Sequence, residues 1–303
     1  MSENVLITGG TGFIGSHLVR ELNTNNRRVT VLARERDATE HFSSDVQSIF
    51  GDVTFRNTLP SFEQFDAVFH LAGVVSVSGS IRNPQQTFSV NTTGTQNVLE
   101  QCRIDDVDHF VYLSSASIYG EPDRLPISEE HPIQPTHPYA ATKAAGENLV
   151  QGYGAAYGIE TTIIRAFTVY GPGQTEQNLI PTVIRQAQTK DRIQLGNMEP
   201  TRDFIHVSDL VRAVEMLTTQ EEPKYEIYNV GSGQEHSVGE VVETILKELD
   251  KTELKVISEG TGRSREVEIS RMVSDNSRIR DLGWSPKYDL EAGIVDTIRG
   301  IRA

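Results

Sequence analysis

Tyr139 and Lys143 stand four residues apart in the run Tyr139-Ala140-Ala141-Thr142-Lys143. On a helix, positions i and i+4 share a face, so a phenol and an ammonium at this spacing can converge on one site. A neighbouring cation favours phenolate over phenol and brings a group with an ordinary pKa of about 10 within reach of acid–base work at neutral pH. Taken alone, Tyr-x-x-x-Lys is a common coincidence on a helix surface. A second pattern gives it weight. Gly9-Gly10-Thr11-Gly12-Phe13-Ile14-Gly15 follows directly on the apolar Val5-Leu6-Ile7-Thr8. A glycine-rich turn that leaves a strand and opens a helix is a place to hold a pyrophosphate. Gly9 permits the tight turn, Gly12 lets the backbone approach the phosphates, and Gly15 lets the helix pack closely on the sheet, with Phe13 and Ile14 at its start. In this order the two patterns describe a nicotinamide dinucleotide enzyme that uses tyrosine as its acid–base group.

The elements that must position these groups alternate along the chain. Short apolar runs predict strands over 5–8, 29–32, 67–71 and 110–113, and apolar residues at helical spacing predict helices over 13–22, 85–101, 139–157, 179–189 and 238–249. Strands of this kind between helices imply an α/β fold of Rossmann type, a doubly wound parallel sheet covered on both faces. The expected organisation is a nucleotide-binding domain over 1–170, to which 202–230 returns, and a smaller C-terminal lobe, mainly substrate-binding, over 171–303. The stretch 121–138 is polar and proline-rich and reads as a surface excursion before the tyrosine helix. Cys102 lies in a helical run and is expected in the core; as the single cysteine it excludes an internal disulfide and a cysteine-rich metal site.

A hydrophobic share of 37% with 23% charged residues fits a globular enzyme, and a net charge of −14 argues against general binding to nucleic acid or anionic membranes. No apolar stretch approaches the length of a membrane span, and a strand begins almost at the first residue, so the expectation is a cytoplasmic protein. The choice of dinucleotide is less regular. A carboxylate at the end of the second strand usually holds the ribose hydroxyls of NAD, whereas this chain reads Leu32-Ala33-Arg34-Glu35-Arg36. Ala33 cannot accept those bonds. Arg34 can pair with a 2′-phosphate, which tilts the reading toward NADP, or stack on adenine or face solvent, so NAD and NADP both stay open.

At this point the chain resembles an extended short-chain dehydrogenase/reductase of the nucleotide-sugar epimerase/dehydratase family, over essentially its whole length. The residues that carry the resemblance run in order: the glycine loop; Gly51-Asp52-Val53; His70-Leu71-Ala72-Gly73; Asn91 with Gly94-Thr95; Leu113-Ser114-Ser115 with Tyr119-Gly120; Tyr139 with Lys143; Arg165-Ala166-Phe167 with Tyr170-Gly171-Pro172; Arg202-Asp203-Phe204-Ile205-His206-Val207; and Leu282-Gly283-Trp284. The resemblance implies that Asp52 and Val53 border the adenine, that Leu71, Ala72 and Gly73 lie beside the cofactor, and that Asn91 supports it. Turn or cap chemistry is the alternative for Asp52 and Asn91. It implies that Ser115 holds the sugar oxygen that Tyr139 deprotonates, and that Lys143 also bonds the nicotinamide ribose. For Ser114, backbone bonding at a strand end is expected instead. In the second lobe, Arg202 and Arg265 match positions that grip a diphosphate, and Asn178-Leu179 a loop that contacts the diphosphate or sugar. Leu195 stands where many relatives stack an aromatic ring on the base, and Thr168 replaces a usual asparagine.

Reaction type turns on the residues after Ser115. Dehydratases of the family carry an Asp–Glu pair there and the related decarboxylases a Glu, whereas this chain has Ala116 and Ser117. The resemblance therefore implies a nucleotide-sugar 4-epimerase, with an NADPH-dependent reductase of a nucleotide-linked 4-keto-6-deoxy sugar as the alternative. Behind these stand a 4,6-dehydratase and a nucleotide sensor without turnover. It further implies a homodimer, through the helices predicted over 85–101 and 139–157, and a small-molecule sugar-nucleotide partner.

Overall fold

Val5, Leu6 and Ile7 have no exposed surface, and neither do Val68 and Phe69; runs of this kind are stable only at the centre of a covered sheet. A computed structural model describes residues 3–25, 27–35, 39–40, 42–219, 226–258 and 268–302. Its central sheet joins β1 (Asn4–Thr8), β2 (Arg28–Ala33), β3 (Gln47–Phe50), β4 (Ala67–His70), β5 (His109–Ser115), β6 (Glu160–Ala166) and a seventh strand, Ile227–Val230. From one edge to the other the order is seventh strand, β6, β5, β4, β1, β2, β3. The registers are parallel: Thr8 pairs with Leu32 of β2 on one side and His70 of β4 on the other, and His70 in turn with Tyr112 of β5. The winding reverses at β1 and β4, and a doubly wound sheet binds its ligand outside the carboxyl ends of the strands at such a reversal.

The helices are α1 (Phe13–Thr24), α2 (Val77–Arg82), α3 (Pro84–Phe88), α4 (Gly94–Ile104) and α5 (Pro138–Tyr157). The single helix expected over 85–101 is broken, because Ser89–Thr93 widens into a π turn between α3 and α4. Such a turn offsets one residue from the regular ladder, and Asn91 lies within it. The π turn thus accompanies a buried side chain committed to groups outside its own helix. α5 has clear punctuation: His137 caps it, Pro138 supplies a preset φ at its first position, and Gly158 ends it in the left-handed region at φ 76°.

Three strands of the central sheet, β3, β6 and the seventh, lay hidden from a search for apolar runs. β6 buries Thr161, Thr162 and Arg165 alongside Ile163 and Ile164, and β3 is a half-exposed edge strand, Gln-Ser-Ile-Phe. The stretch 121–138 also corrects the expectation of a surface excursion. Ile127, Glu129 and His131 are buried there; the Asn229 amide donates to Ile127 O at 2.9 Å and the Asn229 N–H to Glu129 at 2.8 Å, so this polar segment is anchored by side-chain bonds rather than by apolar periodicity. Cys102 is buried as expected.

The chain divides into two compact units. The first comprises Met1–Ile118, Ile133–Arg165 and Val211–Tyr228, and its core gathers Leu6, Leu32, Phe62, Val68, Val98, Phe110 and Tyr112. The second comprises Tyr119–Pro132, Ala166–Leu210 and Asn229–Ala303. Its own core forms where α6 (Leu179–Thr189) meets the helix Val238–Glu248 and the residues Ile294 and Ile298. Asp203 ties its loops together by accepting from the N–H and hydroxyl of Ser232 and of Ser274 and from the Gly233 N–H. No described helix is long and apolar enough to cross a membrane.

Candidate active site

Along α5, Tyr139, Lys143 and Glu147 recur once per turn on one buried stripe. Burial raises the Tyr139 phenol above its ordinary pKa, and a hydrogen bond with Ser115 opposes that rise. Lys143 Nζ donates to Leu113 O at 2.7 Å and lies 4.9 Å from the centre of the Tyr112 ring. Burial lowers this ammonium to about 8, with the Glu147 carboxylate pulling the other way. Here the ammonium is bonded into β5, and removal from water dominates the phenol.

Ser115 ends β5. Its hydroxyl accepts the Ser117 N–H and donates to Ser117 Oγ, each at 3.2 Å. Ser114 departs from the expected backbone bonding at a strand end: its hydroxyl donates to Glu147. The same carboxylate receives the Arg165 fork, Nε at 3.0 Å and Nη2 at 2.7 Å, and both partners are buried. Glu147 and its partner Arg165 were not singled out for the site from sequence, although Glu147 repeats the four-residue step from Tyr139 to Lys143.

The glycine loop has little room for side chains. Gly9 has φ +72°, and a Cβ there would stand 2.6 Å from Ala72 N; one at Gly15 would stand 2.1 Å from Gly9 O. Gly12 is the N-cap of α1, with no side-chain cap and no acidic residue in the first turn. The Phe13, Ile14 and Gly15 N–H groups at that helix start lack partners within the helix, and with the helix dipole they suit a diphosphate. These residues therefore fit the dinucleotide that the glycine pattern implies.

The turn after β4 closes on this loop. Leu71 N–H donates to Thr8 O at 3.1 Å and Ala72 N–H to Thr8 Oγ1 at 3.3 Å. His70 lies between Thr8 and Thr95 hydroxyls at 2.7 and 3.0 Å, and burial, then the Lys143 charge, pulls it down to about 3, so it is a neutral structural ring. A Cβ on Gly73 would lie 3.2 Å from Asn91 Oδ1 and 3.6 Å from Lys143 Nζ; Gly73, Asn91 and Lys143 thus converge. Asn91 Oδ1 accepts the Val74 N–H at 2.7 Å, and its amide donates to Val74 O at 3.0 Å and Thr142 Oγ1 at 3.1 Å, tying the turn after β4 to α5. Asp52 Oδ1 accepts from Thr54 N–H and hydroxyl at 2.9 and 2.7 Å, which is turn closure. Val53 packs against Gly94. Arg34 is exposed just past β2, two residues beyond the partner of Thr8, at the same carboxyl end of the strands as the glycine loop.

In the second unit, Arg202 is half-buried and its Nη1 donates to Thr201 O at 2.7 Å. Asn178 is exposed at the N-cap of α6 and donates to Thr175 Oγ1 at 2.8 Å. Leu179 and Leu195 both pack against that unit's core. Arg265 lies outside the described residues.

A reversing parallel sheet with a glycine cradle at the end of β1, and Ser115, Tyr139 and Lys143 at the ends of β5 and α5, defines a dinucleotide-dependent enzyme of the short-chain dehydrogenase/reductase type. The NAD dependent epimerase/dehydratase family matches residues 5–231, and the chain belongs to that family. It is 34% identical to a putative UDP-glucose 4-epimerase of Methanocaldococcus jannaschii, with 98% of each chain covered. It is 31% identical to the GDP-6-deoxy-D-mannose reductase of Pseudomonas aeruginosa over 97% of this chain and 95% of the relative. The crystal structure of Thermus thermophilus UDP-glucose 4-epimerase in complex with NAD superposes with a TM-score of 0.89, at 30% identity and 99% coverage of both chains.

Proposed function

We propose that this protein is an NAD(P)-dependent nucleotide-sugar 4-epimerase. The observation that carries the reading is that Ser115 ends β5, Tyr139 and Lys143 share one buried stripe of α5, and the two positions after Ser115 hold Ala116 and Ser117 rather than acids. Loss of water from a sugar needs a further acid; exchange at C4 needs only a base and a group to hold the oxygen. Tyr139 Oη takes the proton from the sugar 4-hydroxyl and later returns it, while Ser115 Oγ holds O4. A bound nicotinamide dinucleotide supplies the acceptor and then the donor of the hydride at C4. Between these steps the 4-keto sugar turns about its phosphate tether and presents its opposite face. Lys143 orients the nicotinamide ribose, with Gly73 and Asn91 shaping the wall beside it. Arg202 and Arg265 offset the diphosphate charge as planar forks, Asn178 and Leu179 contact the diphosphate or sugar, and Leu195 borders the base.

Incubation with UDP-glucose, UDP-galactose and their N-acetyl and uronic acid counterparts should interconvert at least one 4-epimeric pair without added reductant. The competing reading is an NADPH-dependent 4-keto sugar reductase, favoured by the exposed Arg34 and the likeness to a GDP-6-deoxy-D-mannose reductase. Stoichiometric loss of NADPH on a 4-keto-6-deoxy substrate, with every epimeric pair inert, would establish that reading instead. As a cytoplasmic homodimer packed through α4 and α5, the protein should run at twice its chain mass of 33.6 kDa in light scattering.

A further inference from the structure

α5 begins with an uncommon capping residue. N-caps are ordinarily Ser, Thr, Asp or Asn, whose short side chains reach the open N–H groups of the first turn. Here the cap is His137, in extended conformation (φ −152°, ψ 161°), with Nδ1 accepting the Ala140 N–H at 3.1 Å. That bond requires Nδ1 to be unprotonated, which assigns the ring proton to Nε2. A chain needing only a cap has better choices than imidazole. The ring does something they cannot: it lies parallel to the Tyr139 ring, 5° between planes and 6.0 Å between centroids, within the range of offset stacking. Only 6% of His137 and 8% of Tyr139 is exposed, so neither ring is free to turn in solvent. Pro138 between them has a fixed φ and stiffens the link.

We propose that His137 is a positioning residue for Tyr139: its cap bond sets where α5 begins, and its ring face sets the rotation of the phenol toward Ser115. This rests on the reading of Tyr139 as the acid–base group of a 4-epimerase. Two substitutions separate the two contacts. His137→Asn keeps a capping acceptor and removes the ring, whereas His137→Phe keeps a ring and removes the acceptor. His137→Asn should melt with the native protein, yet turn over roughly 5- to 10-fold more slowly with KM held within about twofold, the scale of a lost ring pair and a small misplacement. His137→Phe should melt earlier and recover most of the lost kcat.

A second readout needs no substrate. With 3-fluorotyrosine at position 139, the fluorine NMR signal should be sharp in the native protein and in His137→Phe, and averaged by ring motion in His137→Asn. Native kcat and a native fluorine signal in His137→Asn would overturn the proposal. So would equal losses of kcat in the two variants, or a loss that only follows the melting temperature. If the native protein epimerises no sugar nucleotide, the functional reading fails, and the fluorine spectra still decide whether His137 holds the ring.

Discussion

In Tyr139→Phe the ring still packs beside His137, but nothing at its tip can ionise. Turnover should fall at least ~100-fold, the usual scale for losing general acid–base catalysis, while circular dichroism and cofactor titration remain native. Near-normal turnover would move the base elsewhere. Lys143 gives the residue scale its pH signature. Burial brings its ammonium from 10.5 to about 8, so cofactor affinity that depends on the charge should hold below pH 8 and decline as pH rises through it, in titrations from pH 6 to 10. Stability moves the other way. Between about 8 and 10.5 the unfolded chain holds a proton that the folded chain has released, so this group's penalty is complete below 8 and relieved as pH climbs. The difference in urea midpoint between the native protein and Lys143→Met should shrink across that window; a constant difference would show that the lysine titrates normally.

At the scale of elements, the join between β5, α5 and β6 rests on one buried carboxylate. Glu147→Gln leaves the Arg165 guanidinium buried without its charge partner, which should cost ~3–5 kcal/mol in urea unfolding. A loss below ~1 kcal/mol would mean that water reaches the pair as at a surface. This join also marks where sequence reading stops. α1, α6 and β1 were legible because their apolar residues recur at helical spacing or in an unbroken run. β6 was not, because Thr161, Thr162 and Arg165 interrupt its apolar residues, and their burial follows from partners elsewhere in the chain: Thr162 meets His109, and Arg165 meets Glu147. The Tyr139–Lys143 stripe could be read from spacing alone. The direction of the Lys143 head could not, since its acceptor is a backbone carbonyl thirty residues upstream. The π turn was equally invisible, because the bonds of Asn91 to Val74 and Thr142 have no signature in residue type.

For the molecule as a whole, cofactor binding should register as stability. A dinucleotide at about 100 times its Kd should stabilise the folded protein by about 2.7 kcal/mol, and comparing NAD with NADP at matched concentrations identifies the preferred one. If Arg34 reads a 2′-phosphate, Arg34→Ala should remove roughly 1.5–3 kcal/mol of NADP affinity and leave NAD untouched. Equal losses for both would assign Arg34 to adenine or to solvent.

The two hydrophobic clusters have no residue in common: one gathers around Leu6, Phe110 and Tyr112, the other around Ile180, Val241 and Ile294. Each cluster therefore constrains substitutions within its own set of residues. The names of two of this chain's relatives, a putative UDP-glucose 4-epimerase and a GDP-6-deoxy-D-mannose reductase, differ in both the sugar and the reaction. If the proposed reading of Arg202 holds, a search for a new sugar specificity should start with the residues around Arg202 and leave the helix of Tyr139 alone.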